Sequence, residues 1–169
     1  MGTKRETKQR GSTDELRTLL KDFDTVMLSS ITPSGEIHSR PMAVQEPGDV
    51  PDCDLWFVTE RDSIKVDEIA GNDKVGVSGL KKDRSYLTIS ARARLVKDPA
   101  EVRRLWKPDW KLFWPDGPEG HDIVIVKLEV LRAEYWEPEG GKLRVLIGMA
   151  KAVLQGKAVD DQLPPPKTV

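Results

Sequence analysis

The chain has 169 residues, with 27 Lys and Arg against 28 Asp and Glu and a formal net charge of −1. That length suits one domain with a real core, and the balanced charge excludes the broad basic footprint of a nucleic-acid binder. The single cysteine, Cys53, excludes an internal disulfide and fits a reducing, cytoplasmic setting. No apolar run reaches membrane-spanning length and no signal-peptide pattern opens the chain, so no membrane association is expected.

Residues 1–12 carry a basic cluster from Lys4 to Arg10 with Glu6 inside it and read as a flexible N-terminus. Ser12-Thr-Asp-Glu15 is a capping box, and Leu16, Leu19, Leu20 and Phe23 follow at helical spacing, which predicts a helix over 13–23. Strands over 26–31 and 37–44 are joined by Thr32-Pro-Ser-Gly35, where Pro33 suits position i+1 and Gly35 supplies permissive backbone.

On the second strand, period two places His38, Arg40, Met42 and Val44 on one face. An arginine among apolar neighbours is costly to bury unless an anion meets it. Pro41 removes a ladder donor and leaves the strand locally open. Arg40 and this open backbone can face a planar, anionic ligand, or the strand is a plain edge whose Arg snorkels to solvent.

Asp52 and Asp54 flank Cys53 and would raise its thiol pKa, which argues against a reactive thiolate. Leu55-Trp-Phe-Val58 is an apolar run suited to a strand covered on both faces. A polar turn follows, then a helix that Asp62 or Ser63 can cap and that Gly71-Asn72 stops. Lys65 sits in the first helical turn, where the macrodipole disfavours a cation. With an anion shared between them, Thr59, Ser63, Lys65 and the free amides form a phosphate cradle; otherwise Lys65 is a solvated lysine on an ordinary helix.

A fourth strand spans 74–80, with Gly76 and Gly79 marking a bulge or a close approach. After a turn at 81–84, alternation predicts a long strand over 86–96 with one buried face. Asp98-Pro-Ala-Glu101 is a second capping box with Pro99 at the first helical position, opening a helix to about Trp106. Pro108 and Pro115 bracket a turn carrying Trp110, Phe113 and Trp114. With Trp106 these either wall a ligand cleft or pack as a satellite core. A last strand spans 123–137, a turn 139–141 and a closing helix 143–155, with Val145, Leu146, Met149 and Val153 at helical spacing and Gly156 as its stop. Residues 157–169, with consecutive prolines, read as a flexible tail beyond a single domain at 13–156.

Helix, hairpin, strand, helix, antiparallel strands, helix and strand make a mainly β protein: a small antiparallel barrel with peripheral helices. There is no G-x-G-x-x-G dinucleotide fingerprint. His38, His121 and one cysteine supply neither metal-ligand nor triad spacing, so no metal is expected. Glu36, Glu60 and Glu68 read as surface carboxylates, and no catalytic acid or base stands out.

Ser39-Arg-Pro-Met42, Leu55-Trp-Phe-Val-Thr59, Ser63-x-Lys65 and Gly71-Asn-Asp-Lys-Val75, in that order and spacing, resemble the pyridoxamine 5'-phosphate oxidase-like split-barrel flavoproteins, and within them the general stress protein 26 group. Ala91-Arg-Ala93, Val96-Lys-Asp98, Leu105-Trp106, Phe113-Trp-Pro-Asp-Gly117 and Ala133-Glu-Tyr-Trp136 extend the resemblance over residues 14–155. It implies a six-stranded antiparallel split β-barrel that forms a homodimer with FMN at the subunit interface. It also implies that Arg40, Ser63 and Lys65, with Thr59 nearby, hold the phosphate, and that backbone at Pro41, Met42 and Val58 flanks the flavin. Tyr86 and Trp136 would come from the partner chain. Ile64 stands where many relatives have a second basic residue, which lowers the expected phosphate affinity.

Gln45 replaces the lysine of the true oxidases, and Lys142-Leu-Arg-Val145 lacks their Arg-x-His pattern, so pyridoxamine phosphate oxidation itself is not expected. The resemblance therefore implies an FMN-dependent oxidoreductase of unknown substrate, with NAD(P)H as a candidate electron donor. The alternatives are a flavin store or sensor without turnover, or a split barrel that uses deazaflavin F420 or haem.

Overall fold

The structure is a computed structural model, and it describes residues 13–46, 50, 52–82, 84–119, 122–137 and 167–168. The elements are α1 (Thr13–Leu20), β1 (Thr25–Ile31), β2 (Ile37–Ala43), β3 (Leu55–Glu60), α2 (Ile64–Gly71), β4 (Lys74–Leu80), β5 (Tyr86–Val96), α3 (Pro99–Leu105), a 3₁₀ turn (Pro108–Leu112), β6 (Ile123–Trp136) and β7 (Lys167–Thr168). Ser12 of the first capping box, His121, and the expected turn and closing helix over 139–155 lie outside the described residues. β7 is an element the sequence pattern did not reveal: within the proline-rich C-terminal stretch, Lys167 and Thr168 pair with Tyr135 and Glu134 of β6.

Every strand pair is antiparallel, and the order is β2-β1-β4-β5-β6-β3, with β7 added to β6. Laid flat, the outer strands β2 and β3 would sit about 24 Å apart, at roughly 4.8 Å per strand spacing. Yet Met42 of β2 shares one core with Leu55 and Phe57 of β3. The sheet therefore curls on itself into a half-barrel, the small antiparallel barrel expected from short-turned strands and the split barrel that the resemblance implies. A bulge where β6 passes Ser90 and Ala91 of β5 accompanies that curvature: Leu131 is skipped in the register and its side chain stands exposed.

Two clusters hold the structure. The first fills the curl with Leu16, Leu20 and Phe23 from the α1 segment and the inward residues of β1, β4, β5 and β6. β5 alternates along its length as expected, with Leu87, Ile89, Ala91 and Ala93 buried. Gly79 marks a close approach rather than a bulge. The register of β4 on β5 runs unbroken from Lys74 to Leu80, and a Cβ at Gly79 would stand 2.7 Å from the Phe23 ring. At Gly76 the nearest atom would be 3.8 Å away, an ordinary contact.

The second cluster lies under α3. Trp56, Trp110 and Trp114 pack with Val50, Cys53, Val102, Leu105, Ile123 and Ile125, and Trp106 closes the rim. Trp110 makes edge contacts to Trp56, Trp106 and Trp114 at centroid distances of 6.2, 5.6 and 6.3 Å. Trp110 and Trp114 are thus core residues, while Phe113 projects outward, 73% exposed. Burial pushes the Cys53 thiol up to about 11, with the neighbouring Asp52 and Asp54 adding to it, which makes it an inert core thiol.

α3 begins as the sequence predicts. Asp98 accepts from the Ala100 amide at 2.9 Å, with Pro99 in the first turn. Glu101, however, does not fold back on the cap. It accepts from Lys127 Nζ at 2.9 Å, and the same ammonium reaches Asp52 at 2.9 Å. Lys127 is buried on β6. Burial opposes its charge, but the bonds to Asp52 and Glu101 outweigh that and raise its pKa. Hydrogen bonds from Lys127 and Arg94 hold Asp52 at about 2, and those from Arg104 and Lys127 hold Glu101 at about 2.

Two outcomes follow from this packing. Gly79→Val should destabilise the fold by about 1–3 kcal/mol through overpacking against Phe23, whereas Gly76→Ala should cost less; equal urea midpoints for both variants would contradict the close approach. The Asp52 and Glu101 pKa values lie below the ordinary 3.8 and 4.5, so the stability they contribute is present above about pH 4.5 and lost as pH falls toward about 2. The stability difference between wild type and Lys127→Met should accordingly be full near neutrality and close in acid, as measured by denaturant melts across that range.

Candidate functional site

β3 ends at Glu60 and α2 starts at Ile64, so the chain turns sharply and presents the start of a helix beside the end of a strand. Ser63 is the N-cap by backbone geometry, but its side chain does not cap. Ser63 Oγ instead donates to the Glu60 carbonyl at 2.8 Å. The expectation that Asp62 or Ser63 accepts from the first amides is not met by Ser63, because its hydroxyl is turned back onto the strand. Lys65 Nζ donates to Thr59 Oγ1 at 2.9 Å, and Thr59 Oγ1 lies 3.3 Å from Ser63 Oγ. Three residues that the sequence pattern grouped are therefore brought together. α2 also ends where expected, but not by a left-handed residue: Asn72 is extended, and its N–H closes on the Glu68 carbonyl.

Arg40 lies on the edge strand β2, where Pro41, opposite Met27 of β1, costs no ladder bond on its outer side. Its side chain does not snorkel. It is only 14% exposed, and Nη2 donates to Glu68 Oε2 at 2.6 Å while Nη1 donates to Ser30 Oγ at 2.5 Å. Ser30 Oγ in turn donates to Glu68 Oε2 at 2.5 Å, and His38 Nδ1 lies 2.8 Å from Glu68 Oε1. The anion that an arginine on this face demands is thus supplied by the chain itself.

Glu68 corrects the reading of it as a surface carboxylate, since it is 3% exposed. Burial alone would raise its pKa, but hydrogen bonds from Ser30, His38 and Arg40 overcome burial and hold it at about 2. Glu68 follows Lys65 by three residues, so both lie on one face of α2. A carboxylate at that spacing beneath a half-buried lysine, with Val66 and Ile69 beside it in sequence, was the available signal.

The charges of Arg40 and Lys65 lie close. Lys65 has its pKa lowered, first by burial and then by the Arg40 charge, with Glu60 and Glu68 opposing. Two cations from segments 25 positions apart (Lys65 against Arg40) therefore lie beside α2, Lys65 in its first turn on Thr59 and Arg40 one turn further along on Glu68. The donors there suit a phosphate group: Lys65 spends one of its three N–H donors on Thr59, and no side chain occupies the α2 amides through the cap. Arg40 has two nitrogens already engaged by Glu68 and Ser30.

Met42 points into the core, while Pro41, the residue before it on the strand, is exposed; Val58 is half-buried between Phe57 and Thr59. Tyr86 and Trp136 are opposite one another in the β5–β6 register. They are not part of the same cluster. Val124 pairs with Thr59, and from there Trp136 is twelve positions along β6, about 40 Å of strand at roughly 3.3 Å per residue. Ile64, in the place of a second basic residue, is exposed. Among the described residues no group of three or more His, Cys, Asp or Glu could hold a metal ion.

Several solved structures share the fold. A general stress protein 26 from Jannaschia sp. CCS1 is similar with a TM-score of 0.64 and 23% identity, over 93% of this chain and 96% of that one. The general stress protein 26 of Bacillus anthracis matches with a TM-score of 0.58 and 24% identity, over 73% and 92%. A general stress FMN/FAD binding protein from Xanthomonas citri matches with a TM-score of 0.61 and 27% identity, over 76% and 89%. No curated protein sequence matches the chain. The pyridoxamine 5'-phosphate oxidase like family matches residues 11–160, nearly the whole length, and the chain belongs to that family.

Proposed function

We propose that the protein is an FMN-binding flavoprotein of the general stress protein 26 type that works as a homodimer and as a flavin-dependent oxidoreductase. The observation that carries this reading is Lys65 in the first turn of α2, beside Thr59 and Ser63, with the Arg40 charge near enough to act on it. Two cations and uncapped first-turn helix amides, with the Thr59 and Ser63 hydroxyls beside them, suit a phosphate monoester once Ser63 turns from the Glu60 carbonyl. The Xanthomonas citri relative, an FMN/FAD binding protein, supports a flavin nucleotide as its bearer.

In this reading Lys65 and Ser63 take the phosphate, with Arg40 behind them, and backbone at Pro41, Met42 and Val58 lies along the flavin. Tyr86 and Trp136 lie too far along β5 and β6 to serve the cradle of their own chain. They are assigned to the partner's site, which is why a dimer completes the cleft. When bound, FMN supplies the electron-transfer chemistry, and the chain supplies orientation and electrostatics. NAD(P)H is the proposed electron donor and the cytoplasm the proposed location; no helix among the described residues is long and apolar enough to cross a membrane.

Freshly purified protein should be yellow and release FMN, and light scattering should give a dimer. A haem or deazaflavin spectrum would replace FMN by those cofactors, and a monomer would remove the interface cleft. NADH or NADPH should bleach the flavin and air restore it; a bound flavin that neither reduces would make the protein a store or sensor. Lys65→Ala should weaken FMN binding by about 1.5–3 kcal/mol, the cost of a charged hydrogen bond, and Arg40→Ala should also weaken it, by leaving Glu68 as an unpaired anion beside the phosphate. Unchanged titrations for both would remove the site.

A further inference from the structure

We infer that Glu68 is the residue that sets how strongly the site prefers a phosphorylated flavin over an unphosphorylated one, by cancelling the charge of Arg40. The inference rests on the phosphate cradle proposed above. It starts from an oddity of placement: a carboxylate is built into the wall of an anion site.

The carboxylate is not there by loose packing. Glu68 is 3% exposed, both its oxygens are engaged, and Ser30 closes a triangle with Arg40 on Oε2. It is ionised across the physiological range, because the bonds that surround it favour the charged form over burial. An incoming phosphate therefore meets no proton on Glu68 and cannot displace it from Arg40 without stripping a buried, fully bonded anion. Arg40 and Glu68 together carry no net charge, and Lys65 is left as the cation of the cradle. A doubly charged monoester is matched by one full charge.

A glutamine would fill the same volume and still accept from Arg40. The choice of glutamate thus adds repulsion without being needed for shape. It supports Arg40 in place and at the same time restrains the pull of the site on phosphate. Ile64, where a further basic side chain would add charge, works in the same direction by remaining apolar and exposed.

The full chain, freed of flavin, is titrated with FMN and with riboflavin by flavin fluorescence at about pH 8, where a phosphate monoester is doubly charged. Glu68→Gln should raise the preference for FMN over riboflavin about tenfold, the effect of one nearby, partly screened charge, and leave riboflavin affinity unchanged. Glu68→Asp keeps the charge but withdraws it by one methylene, so it should fold and give a smaller rise. A glutamine variant that folds only when FMN, and not riboflavin, is supplied counts as support. An unchanged or reduced preference in the variants that fold overturns the inference.

Arg40→Ala separates this from failure of the site itself. If Arg40→Ala leaves the FMN preference intact, the phosphate does not sit at Arg40 and the cradle reading falls. If it lowers the preference while neither Glu68 variant raises it, only the role of Glu68 falls.

Discussion

The contact between Arg40 and Glu68 is the joint on which the rest of the molecule turns. Arg40 belongs to β2, one end of the strand order, and Glu68 to the helix that directly follows β3, the other end. A 2.6 Å ion pair between them exists only because the sheet curls until its two ends share one helix. The interior is buried by apolar contact, but apolar contact is non-directional. It does not say which edge residues must meet. A buried ion pair with a hydroxyl closing it does, because any other register leaves a carboxylate or a guanidinium stranded without a partner. His38, Arg40 and Ser30 are brought to it by the β1–β2 register, in which Ser30 faces His38 and Leu28 faces Arg40.

The second core solves a different problem with the same device. β3 and β6 carry apolar residues on both faces, since Leu55, Trp56 and Phe57 are all buried, so the outer face needs a cover. α3 and the tryptophan turn provide it. Lys127 then pins that cover: its ammonium reaches Glu101 on α3 and Asp52 on the segment before β3. A long aliphatic stem passing through an apolar layer with its charge met at the far end is how a lysine can be buried on a central strand. Each of the two cores thus has one polar tie that fixes what packing alone would leave free to slide.

Much of this was legible in the residues. Alternation located β4 and β5 with their observed ends, and Asp98-Pro99 located the start of α3, because these signals act within a few residues of chain. The grouping of Thr59, Ser63 and Lys65 was also local, set by one turn. The partner of Arg40 was not. Arg40 on an apolar strand announced that it needed an anion or an escape to solvent, and neither alternative pointed to a carboxylate of the chain itself. Glu68 looked like any solvent-facing carboxylate on a short helix, since its burial depends on the curl bringing β1 and β2 beneath α2. Lys127 was hidden for the same reason: a lysine within an apolar run can be read as the strand's exposed break until its two carboxylates, 75 and 26 positions away, are in view. β7 gave no pattern at all, being two residues long and recruited by the β6 edge.

The two cations of the cradle therefore do different work, and the difference follows from which element carries each. Lys65 stands in the first turn of α2, half-buried, against the helix dipole and beside another positive charge. The helix dipole, burial and the Arg40 charge all disfavour a cation there, and Thr59, Glu60 and Glu68 offset them only in part. Arg40, by contrast, is rewarded twice, by Glu68 and by Ser30, and it would keep its position whether or not a ligand came. A side chain whose placement is unfavourable in the chain by itself is the one whose placement an external anion must explain, while a side chain already satisfied can be explained by folding alone. The case for an anion at this site thus leans on the lysine, and the arginine supplies the wall against which the anion rests.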